Sequence, residues 1–406
     1  MIETKRLPTG VYLLAFSLFA MGSAEFLMAG VLPSAAADLG VSLSSAGALI
    51  TAFALGVVLG GPPFAVLSLK WPRRTALMTT QAVFAVAIAT GLLADDYWIL
   101  LITRFVAGLA YAGFFAVAAV TAISLVPPDR NARASGVVVA GLSVAMVAGG
   151  PAGTLLSNLT DWTGGFWGVV TLTALGVVAC AVGLPATASA APNLSGELLA
   201  MRTPRLWGIY AITILSTAAY MVSFNYLAAM LADVFPAVWI PAVLALFGIG
   251  AFAGLSLGGR ISDRHPHHAL LGGVVGLAVF SALLALFAAS AWVVVPTVFL
   301  LGVAAFVLNP ALYGRVFTIA ASAPTLAGAT TVSAFQLGIS LTPAFAAGAL
   351  NLGASPTAIP WIGAALALAT IPLVLRDRSH AHLAARTTTS SGAAAEVASR
   401  HHGDPS

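Results

Sequence analysis

The segment GVYLLAFSLFAMGSAEFLMAGVL, residues 10–32, decides the fold class of this chain. Glu25 is its only charged residue, and the segment exceeds the roughly 20 apolar residues that carry an α-helix across a bilayer. Lys5 and Arg6 before it resemble the start of a cleaved signal peptide. The apolar core of such a peptide is only about 7 to 15 residues long, so we predict that residues 10–32 form the first transmembrane helix.

The composition of the whole chain extends this prediction. Of its 406 residues, 60% are hydrophobic and 7% are charged, whereas a soluble domain carries about 25% charged residues. Apolar runs of spanning length recur at residues 10–35, 45–68, 75–93, 97–125, 134–158, 164–184, 206–231, 238–259, 268–289, 292–314, 326–350 and 357–375. We predict an all-α polytopic membrane protein with twelve transmembrane helices in two six-helix halves.

Two polar segments predict the domain organisation. Residues 185–205 are rich in Ala, Ser, Pro and charge, which indicates a cytoplasmic linker between an N-terminal six-helix bundle at 1–184 and a C-terminal six-helix bundle at 206–378. Residues 379–406 are rich in Ala, Ser and Thr and contain few large apolar side chains. Such a segment cannot bury enough surface to fold, so we predict a disordered cytoplasmic tail.

The distribution of positive charge predicts the orientation of the helices. Cytoplasmic loops collect Lys and Arg, whereas outer loops do not. The loops on one side carry Lys5, Arg6, Lys70, Arg73, Arg74, Arg130, Arg133, Arg202, Arg205, Arg260, Arg264, Arg376 and Arg378. The loops on the other side carry no Lys or Arg, but they hold Asp38, Asp95, Asp96, Asp161 and Asp233. We predict a multi-pass protein of the cell (inner) membrane with both termini in the cytoplasm.

Few ionisable residues lie inside the apolar runs: Glu25, Arg104 and, near a helix end, Arg315. A charge at this depth costs roughly 2.5 to 3.5 kcal/mol, so such side chains usually face a water-filled cavity or one another. From the helical rise, Glu25 and Arg104 both lie about 10 to 12 Å below the outer surface and could share one cavity. Glu25, the only deep carboxylate, is the single candidate for a proton-coupling group. A structural ion pair, or hydrogen bonds to backbone carbonyls, is the alternative for both residues.

Two glycine-containing motifs are candidates for moving parts. Residues 149–153, GGPAG, predict a bend in the fifth helix that lets a neighbour approach closely, or else an ordinary kinked packing helix. Pro343 and Gly348 occupy the corresponding place in the eleventh helix and hint at an internal repeat. Residues 258–264, GGRISDR, place Asp263 between two arginines, a pattern that can form a charged latch.

We expect no cofactor, no metal site and no nucleic-acid partner. Cys180, the single cysteine, lies in an apolar run and excludes an intramolecular disulfide. His265, His267 and His268 have no carboxylate or cysteine set to complete a metal site, so we interpret them as solvated. A pair of histidines in the tail, His401 and His402, is weak evidence for a metal site. The basic residues are scattered over short loops and do not gather into one patch.

Together these features resemble the major facilitator superfamily. The resemblance rests on the six-plus-six plan, the GGRISDR and GGPAG motifs, and the run LITRFVAGLAYAGF at residues 101–114. With FAMGSAEFLMAGVLP at residues 19–33, the chain is more narrowly similar to the twelve-helix drug:proton antiporter family, close to the actinobacterial chloramphenicol exporters. The resemblance covers residues 8–378.

The resemblance implies roles for individual residues. Arg104 takes the place of a helix 4 arginine tied to proton coupling, and Glu25 that of a helix 1 acid involved in substrate and proton recognition. Gly150 and Pro151 take the place of the antiporter motif. The gating residues would then be Gly150, Pro151, Gly259, Arg260, Asp263 and Arg264.

One loop departs from the family pattern. The segment SLKWPRR after the second helix has Leu69 where the superfamily usually has aspartate and Pro72 where it usually has glycine. Only its basic character is kept. We therefore expect the gating contact to depend on Asp263 in the second half.

Polar, aromatic and methionine residues within the apolar runs are the candidates for substrate contact. They are Glu25, Met28, Tyr111, Phe114, Tyr220, Asn225, Tyr226, Asn309 and Gln336. Aromatic and methionine surface suits an amphipathic neutral compound better than a sugar. Packing within the bundle is the alternative for each residue.

The expected function is proton-coupled efflux of a small amphiphilic drug, such as chloramphenicol or a similar antibiotic, by alternating access. Transport of an endogenous metabolite such as a sugar or a nucleoside is the alternative. A membrane-embedded enzyme would need a nucleophile, a metal site or paired carboxylates, and a single intramembrane acid argues against it. The expected partners are a small-molecule substrate, protons and the lipid bilayer, with the chain acting as a monomer.

Overall fold

The computed structural model describes residues 7–67, 71–127, 130–185, 201–232, 234–262, 264–321 and 324–401. Within these ranges, twelve helices are long and apolar enough to cross a membrane, which confirms the predicted number of spans. We number them α1 to α12 in chain order.

The first six helices are α1 (Thr9–Asp38), α2 (Leu43–Leu67), α3 (Arg73–Leu93), α4 (Tyr97–Ser124), α5 and α6 (Gly164–Gly183). Helix α5 has three consecutive pieces, Asn131–Val144, a π-helical turn at Ala145–Gly149, and Gly150–Leu159. The second six are α7 (Pro204–Asn225, then Leu227–Leu231), α8 (Ile240–Ser262), α9 (Pro266–Leu286), α10 (Ala291–Val307, then Asn309–Ile319), α11 (Pro324–Asn351) and α12 (Ile359–His401).

The helices pack mainly within two sets of six. In the first set α4 packs on α2 and α3, while α1 packs on α5 and α6. In the second set α10 packs on α8 and α9, while α12 packs on α7 and α9. The sets meet where α2 lies along α11 and where α5 lies against α8, and Phe26 of α1 contacts Phe224 of α7.

The same close crossing of two helices occurs in both sets, and the corresponding glycines are separated by a constant number of residues. Gly56 and Gly108 lie where α2 crosses α4, and a Cβ atom on either glycine would stand within 2.2 Å of a backbone oxygen of the other helix. Gly250 and Gly302 lie where α8 crosses α10 and face the other backbone at the same range. Gly250 follows Gly56 by as many residues as Gly302 follows Gly108. The two sets therefore share one crossing geometry that only glycine permits.

Substitution of one of these glycines tests the crossing. Gly302→Ala is expected to destabilise the protein by about 1 to 3 kcal/mol, because overpacking of a close contact forces the backbone to shift. The new methyl group would stand 2.2 Å from the carbonyl oxygen of Phe247. The measurement is the thermal unfolding temperature of the detergent-solubilised protein. Gly314→Ala, on the same helix with open space beside it, is the matched control, and equal unfolding temperatures would contradict the prediction.

The contacts of α5 with α8 are concentrated toward one face. We call the face where α1 begins the amino-terminal face and the face where α1 ends the opposite face. Toward the opposite face, Asn158 of α5 donates to the carbonyl oxygen of Ala237 before α8 at 3.1 Å, and Gly248 of α8 lies against Val147. The first piece of α5, Asn131–Val144, packs mainly on α1 and α4 of its own set. The α5 and α8 helices thus meet near the opposite face.

The bend predicted in the fifth helix is a π-helical turn at Ala145–Gly149, and Pro151 is the second residue of the next α-helical piece. Proline fits there because it has no backbone N–H to donate into the preceding turn. A Cβ atom on Gly149 would stand 2.0 Å from Ser23 Oγ, and one on Gly150 would stand 2.8 Å from Phe26 Cβ. The neighbour that the glycines admit is therefore α1.

The end of the chain differs from the prediction of disorder after residue 378, because α12 continues to His401. The prediction considered only the lack of apolar surface to bury. Alanine has the highest intrinsic helix propensity, and this segment is rich in alanine. Residues 186–200 of the predicted linker and residues 402–406 lie outside the described part of the chain.

Candidate functional site

Glu25 is half-buried on α1, and its hydrogen-bond partner comes from the other set of helices. Gln336 of α11 donates from Nε2 to Glu25 Oε1 at 3.0 Å. The Gln336 side chain is only 7% exposed, and its Oε1 atom has no hydrogen-bond partner among the described residues. The two side chains, 311 positions apart in sequence, form a polar bridge between the two sets.

Arg104 of α4 is buried within the first set and held mainly by backbone. Its Nε atom donates to the carbonyl oxygen of Leu49 at 3.5 Å, and Nη1 donates to that of Ala24 at 3.4 Å. Its Cζ atom lies 4.8 Å from the ring centroid of Phe53 and 5.5 Å from that of Phe166. Aromatic faces stabilise a buried guanidinium without neutralising its charge.

No ion pair joins Glu25 and Arg104 in the described part of the chain, where the recorded ion pairs converge on Asp377. Of the two structural alternatives open for Arg104, hydrogen bonding to backbone carbonyls is therefore the one observed. The Ala24 carbonyl immediately precedes Glu25, so Arg104 holds the α1 backbone beside the acid.

An aromatic surface adjoins the bridge. Phe224 of α7 lies 4.6 Å from Phe247 and 6.3 Å from Phe26 by ring centroids, so aromatic contact continues from the second set to α1. Tyr220 lies 5.7 Å from Phe306 and 6.4 Å from Phe247 by ring centroids. The Tyr111 hydroxyl, from α4, lies beside Gly22 of α1, about one turn before Glu25. Glu25 and Gln336 are thus the sequence-predicted substrate candidates that the structure joins directly.

The remaining substrate candidates lie in other surroundings. Met28 lines a small crevice with Arg104 inside the first set, and Phe114 is fully buried. Asn225 donates to Thr342 Oγ1 at 2.9 Å, which ties α7 to α11. The buried Tyr226 hydroxyl has no partner among the described residues, and it faces Gly47 of α2. Asn309, half-buried, begins the second piece of α10.

The predicted gating residues are only partly described. Asp263 lies outside the described residues, as do Leu69 and Lys70 of the loop after α2. Arg260 and Arg264 are exposed, and Gly259 has open space beside it. Gly150 and Pro151 are buried, with Gly150 against α1.

A charged cluster that the sequence analysis missed lies at the amino-terminal face of the second set. Asp377 of α12 accepts two hydrogen bonds from Arg315 of α10, at 2.7 and 2.9 Å. Arg205 of α7 donates to the same carboxylate at 3.3 Å, and His267 of α9 lies 3.1 Å from it. One carboxylate that is 6% exposed therefore holds four helices together. The signal in the sequence that could have indicated this cluster was Asp377, a single acid between Arg376 and Arg378 after the last predicted span.

The fold is that of a multi-pass membrane protein, with twelve helices able to span a membrane in two sets that are bridged by a half-buried acid and its amide partner. The sequence profile of the Major Facilitator Superfamily matches residues 14–343, and the chain belongs to that family.

Individual relatives agree with this assignment. A chloramphenicol resistance protein of Streptomyces lividans is 44% identical over 205 residues, which cover 49% of this chain and 52% of that protein. The chain thus spans about half the length of such curated relatives. A bacterial homologue of the human lysosomal transporter Spinster, solved in an inward-facing and unoccupied conformation, covers 95% of this chain and 98% of its own at a TM-score of 0.68 and 18% identity.

A second solved structure shows the same fold. The nucleoside transporter NupG, as its D323A mutant, superposes with a TM-score of 0.73 at 13% identity and covers 92% of this chain and 100% of its own. At such low identity the two structural matches establish only the fold, which confirms the predicted major facilitator architecture.

Proposed function

We propose that this chain exports a small amphiphilic antibiotic, chloramphenicol or a compound of similar character, in exchange for protons by alternating access. The observation that carries the proposal is the bridge between Glu25 and Gln336, a protonatable group at bilayer depth whose partner belongs to the other set of helices. The similarity to the chloramphenicol resistance protein supports the substrate.

The chemistry of the site suits such a substrate. Phe26, Phe224 and Phe247 are buried aromatic side chains where the two sets meet, and aromatic side chains favour a ring-containing compound over a sugar. Glu25 and Gln336 offer one charge and one amide for orientation. A proton that binds Glu25 removes the charge and changes what the carboxyl group can accept or donate. Substrate binding and proton binding would therefore influence each other at one place.

Arg104 would contribute to proton coupling by holding the α1 backbone beside Glu25 in place. Its hydrogen bond to the Ala24 carbonyl fixes the α1 backbone next to Glu25. Gly150 and Pro151 would serve gating, since they lie where α5 changes from a π-helical turn to an α-helix against α1. A second gating segment, at the end of α8, would comprise Gly259, Arg260, Asp263 and Arg264.

We further propose the orientation that the positive charges favour. The amino-terminal face, with both termini and the linker at 185–205, would lie in the cytoplasm, and the membrane would be the cell (inner) membrane. The bundles would comprise residues 1–184 and 206–378 and act as one monomer with a short cytoplasmic tail. In that orientation the contact of α5 with α8 would close the space between the two sets on the outer side. Such a conformation would suit a transporter that takes up its substrate from the cytoplasm.

The test is chloramphenicol-dependent proton movement in energised inverted membrane vesicles that contain the protein. Addition of chloramphenicol is expected to release protons from the vesicle interior, because each export step returns protons across the membrane. The fluorescence of an acridine dye reports the pH gradient. Vesicles without the protein are the control. A wild-type protein that responds to a sugar or a nucleoside and not to chloramphenicol would contradict the substrate and support the metabolite alternative.

A further inference from the structure

Arg205 is the least satisfied member of the charged cluster at Asp377. Arg315 donates to both oxygens of the Asp377 carboxylate, at 2.7 and 2.9 Å, and so matches that single negative charge. Arg205 makes one longer hydrogen bond to the same carboxylate, from Nε at 3.3 Å. Its Nη2 atom is buried and has no hydrogen-bond partner among the described residues. The guanidinium of Arg205 is therefore a cation without an anion of its own.

The Arg205 side chain can be reached from outside the protein. It is 29% exposed, whereas the side chains of Arg315 and Asp377 are nearly buried. Arg205 is the second residue of α7, so it lies where this membrane-spanning helix begins. The exposed Trp207 follows two residues later, and tryptophan is enriched at the depth of the lipid headgroups. A ligand of Arg205 would therefore come from the headgroup layer or from the water beside it.

The charge around Arg205 is strongly positive. Between residues 201 and 381, Asp377 is the only acid that the structure describes at the amino-terminal face. The described arginines of the same range and face are Arg202, Arg205, Arg260, Arg264, Arg315, Arg376 and Arg378. Anionic lipids gather at such clusters beside membrane-spanning helices, and each Lys or Arg contributes about fivefold in affinity. The positive excess at this face thus favours an anionic lipid as the partner.

We propose that Arg205 and Arg202 bind the phosphate group of an anionic phospholipid headgroup at the amino-terminal face of the second set. A guanidinium donates to two phosphate oxygens at once, which supplies the acceptors that Arg205 lacks. The exposed Arg202 lies in the turn before α7, and Trp207 Nε1 holds this turn by donating to the carbonyl oxygen of Met201 at 2.8 Å. The bound headgroup would balance the excess charge of the cluster that joins α7, α9, α10 and α12. Its binding would not depend on which substrate the protein transports.

An acid of the chain itself is the competing partner for Arg205. Glu197 precedes Arg205 by eight residues, within the segment 186–200 that lies outside the described part of the chain. A carboxylate from that segment would satisfy Arg205 without a lipid. The two partners can be distinguished, because only a lipid makes the stability of the protein depend on the lipid concentration.

The experiment measures the thermal unfolding temperature of the full-length protein in detergent during titration with a short-chain phosphatidylglycerol. A ligand that binds only the folded protein raises this temperature as its concentration increases. The wild type is expected to show this rise with phosphatidylglycerol and a much smaller one with phosphatidylcholine of the same chains, whose choline cation cancels the phosphate charge. Inorganic phosphate offers the same oxygens without acyl chains. A rise with inorganic phosphate as large as that with phosphatidylglycerol would overturn the lipid as the source of the phosphate group.

Three variants test the position of the site. Arg205→Gln is expected to lower the affinity for phosphatidylglycerol at least about fivefold, and Arg202→Gln about fivefold. Arg202→Gln changes an exposed side chain outside the cluster at Asp377, so it serves as the test if Arg205→Gln does not fold. Arg133→Gln is the matched control, because it removes the same charge from an exposed residue at the same face of the first set. It is expected to keep the wild-type affinity.

The pattern of losses decides between a site and a general attraction. A loss in Arg205→Gln and Arg202→Gln without a loss in Arg133→Gln supports the site. An equal loss in all three variants would show only that anionic lipid is attracted to the whole face, and it would overturn the site. A wild type that does not respond to phosphatidylglycerol would also overturn it, and a lower unfolding temperature of Glu197→Gln would then identify the linker acid as the partner. The proposed export of chloramphenicol would stand or fall separately, in the vesicle experiment.

Discussion

Glu25→Gln is expected to reduce chloramphenicol-dependent proton release to the level of vesicles without the protein. Glutamine has nearly the shape of glutamate and can still hydrogen-bond Gln336, but it cannot bind or release a proton. The exchange of labelled for unlabelled chloramphenicol should persist, because exchange needs the movement of the helices and no net proton transfer. The measurement is dye fluorescence beside substrate exchange in the same inverted vesicles.

Asp95→Asn is the control for this variant, since Asp95 is an exposed acid at the opposite face and asparagine tolerates its positive φ of 50°. It should keep both proton release and exchange. If Glu25→Gln retains proton release, the coupling group lies elsewhere in the chain. If it loses proton release and exchange together despite normal insertion, Glu25 has a structural role, and the assignment of a coupling group at this position is wrong.

Asp377→Asn is expected to lower the stability of the second set of helices by about 3 to 5 kcal/mol, the range found when one partner of a buried ion pair is removed. The Arg315 guanidinium, 11% exposed, would lose its carboxylate, and Arg205, 29% exposed, would lose the same partner. The measurements are the thermal unfolding temperature in detergent and the amount of folded protein recovered from membranes.

Two further variants distinguish lost charge pairing from a general packing defect. Arg376→Gln changes an exposed residue next to Asp377 and should leave the unfolding temperature unchanged. The double variant of Asp377→Asn with Arg315→Gln should be less destabilised than the sum of the two single variants, because it removes the unpaired cation as well as the acid. Strict additivity would show that the two residues do not act as a pair.

The candidate site divides into what local sequence could predict and what it could not. The depth argument placed Glu25 and Arg104 in one layer, and in the structure Arg104 donates to the carbonyl oxygen of Ala24, the residue before Glu25. It left the partners open, and the structure gives Arg104 two backbone carbonyls as acceptors. A carbonyl acceptor has no sequence signature, because every residue has one. The donor to Glu25 is Gln336, one of nine substrate candidates that the sequence could not rank.

The Asp377 cluster shows the same limit: the sequence does not predict the partners of its charged residues. Sequence analysis interpreted Arg205 as a topology signal and placed Arg315 near a helix end, without a partner for either. In the structure both converge on Asp377, which is separated from them by 172 and 62 positions. Charge counting predicts the side of the membrane on which a residue lies, but it contains no information on which helices are neighbours there.

The sequence by itself determined the twelve spans, the helical class and the membership of the family, because each depends on the transfer of about 20 consecutive residues into lipid or on local motifs. Only the tertiary structure decided which helices touch: the glycine crossings, the Glu25 bridge and the Asp377 cluster. Transfer into lipid does not distinguish one apolar helix face from another. Neighbours are instead chosen by close packing and by the pairing of rare polar groups, both of which arise between segments far apart in the chain.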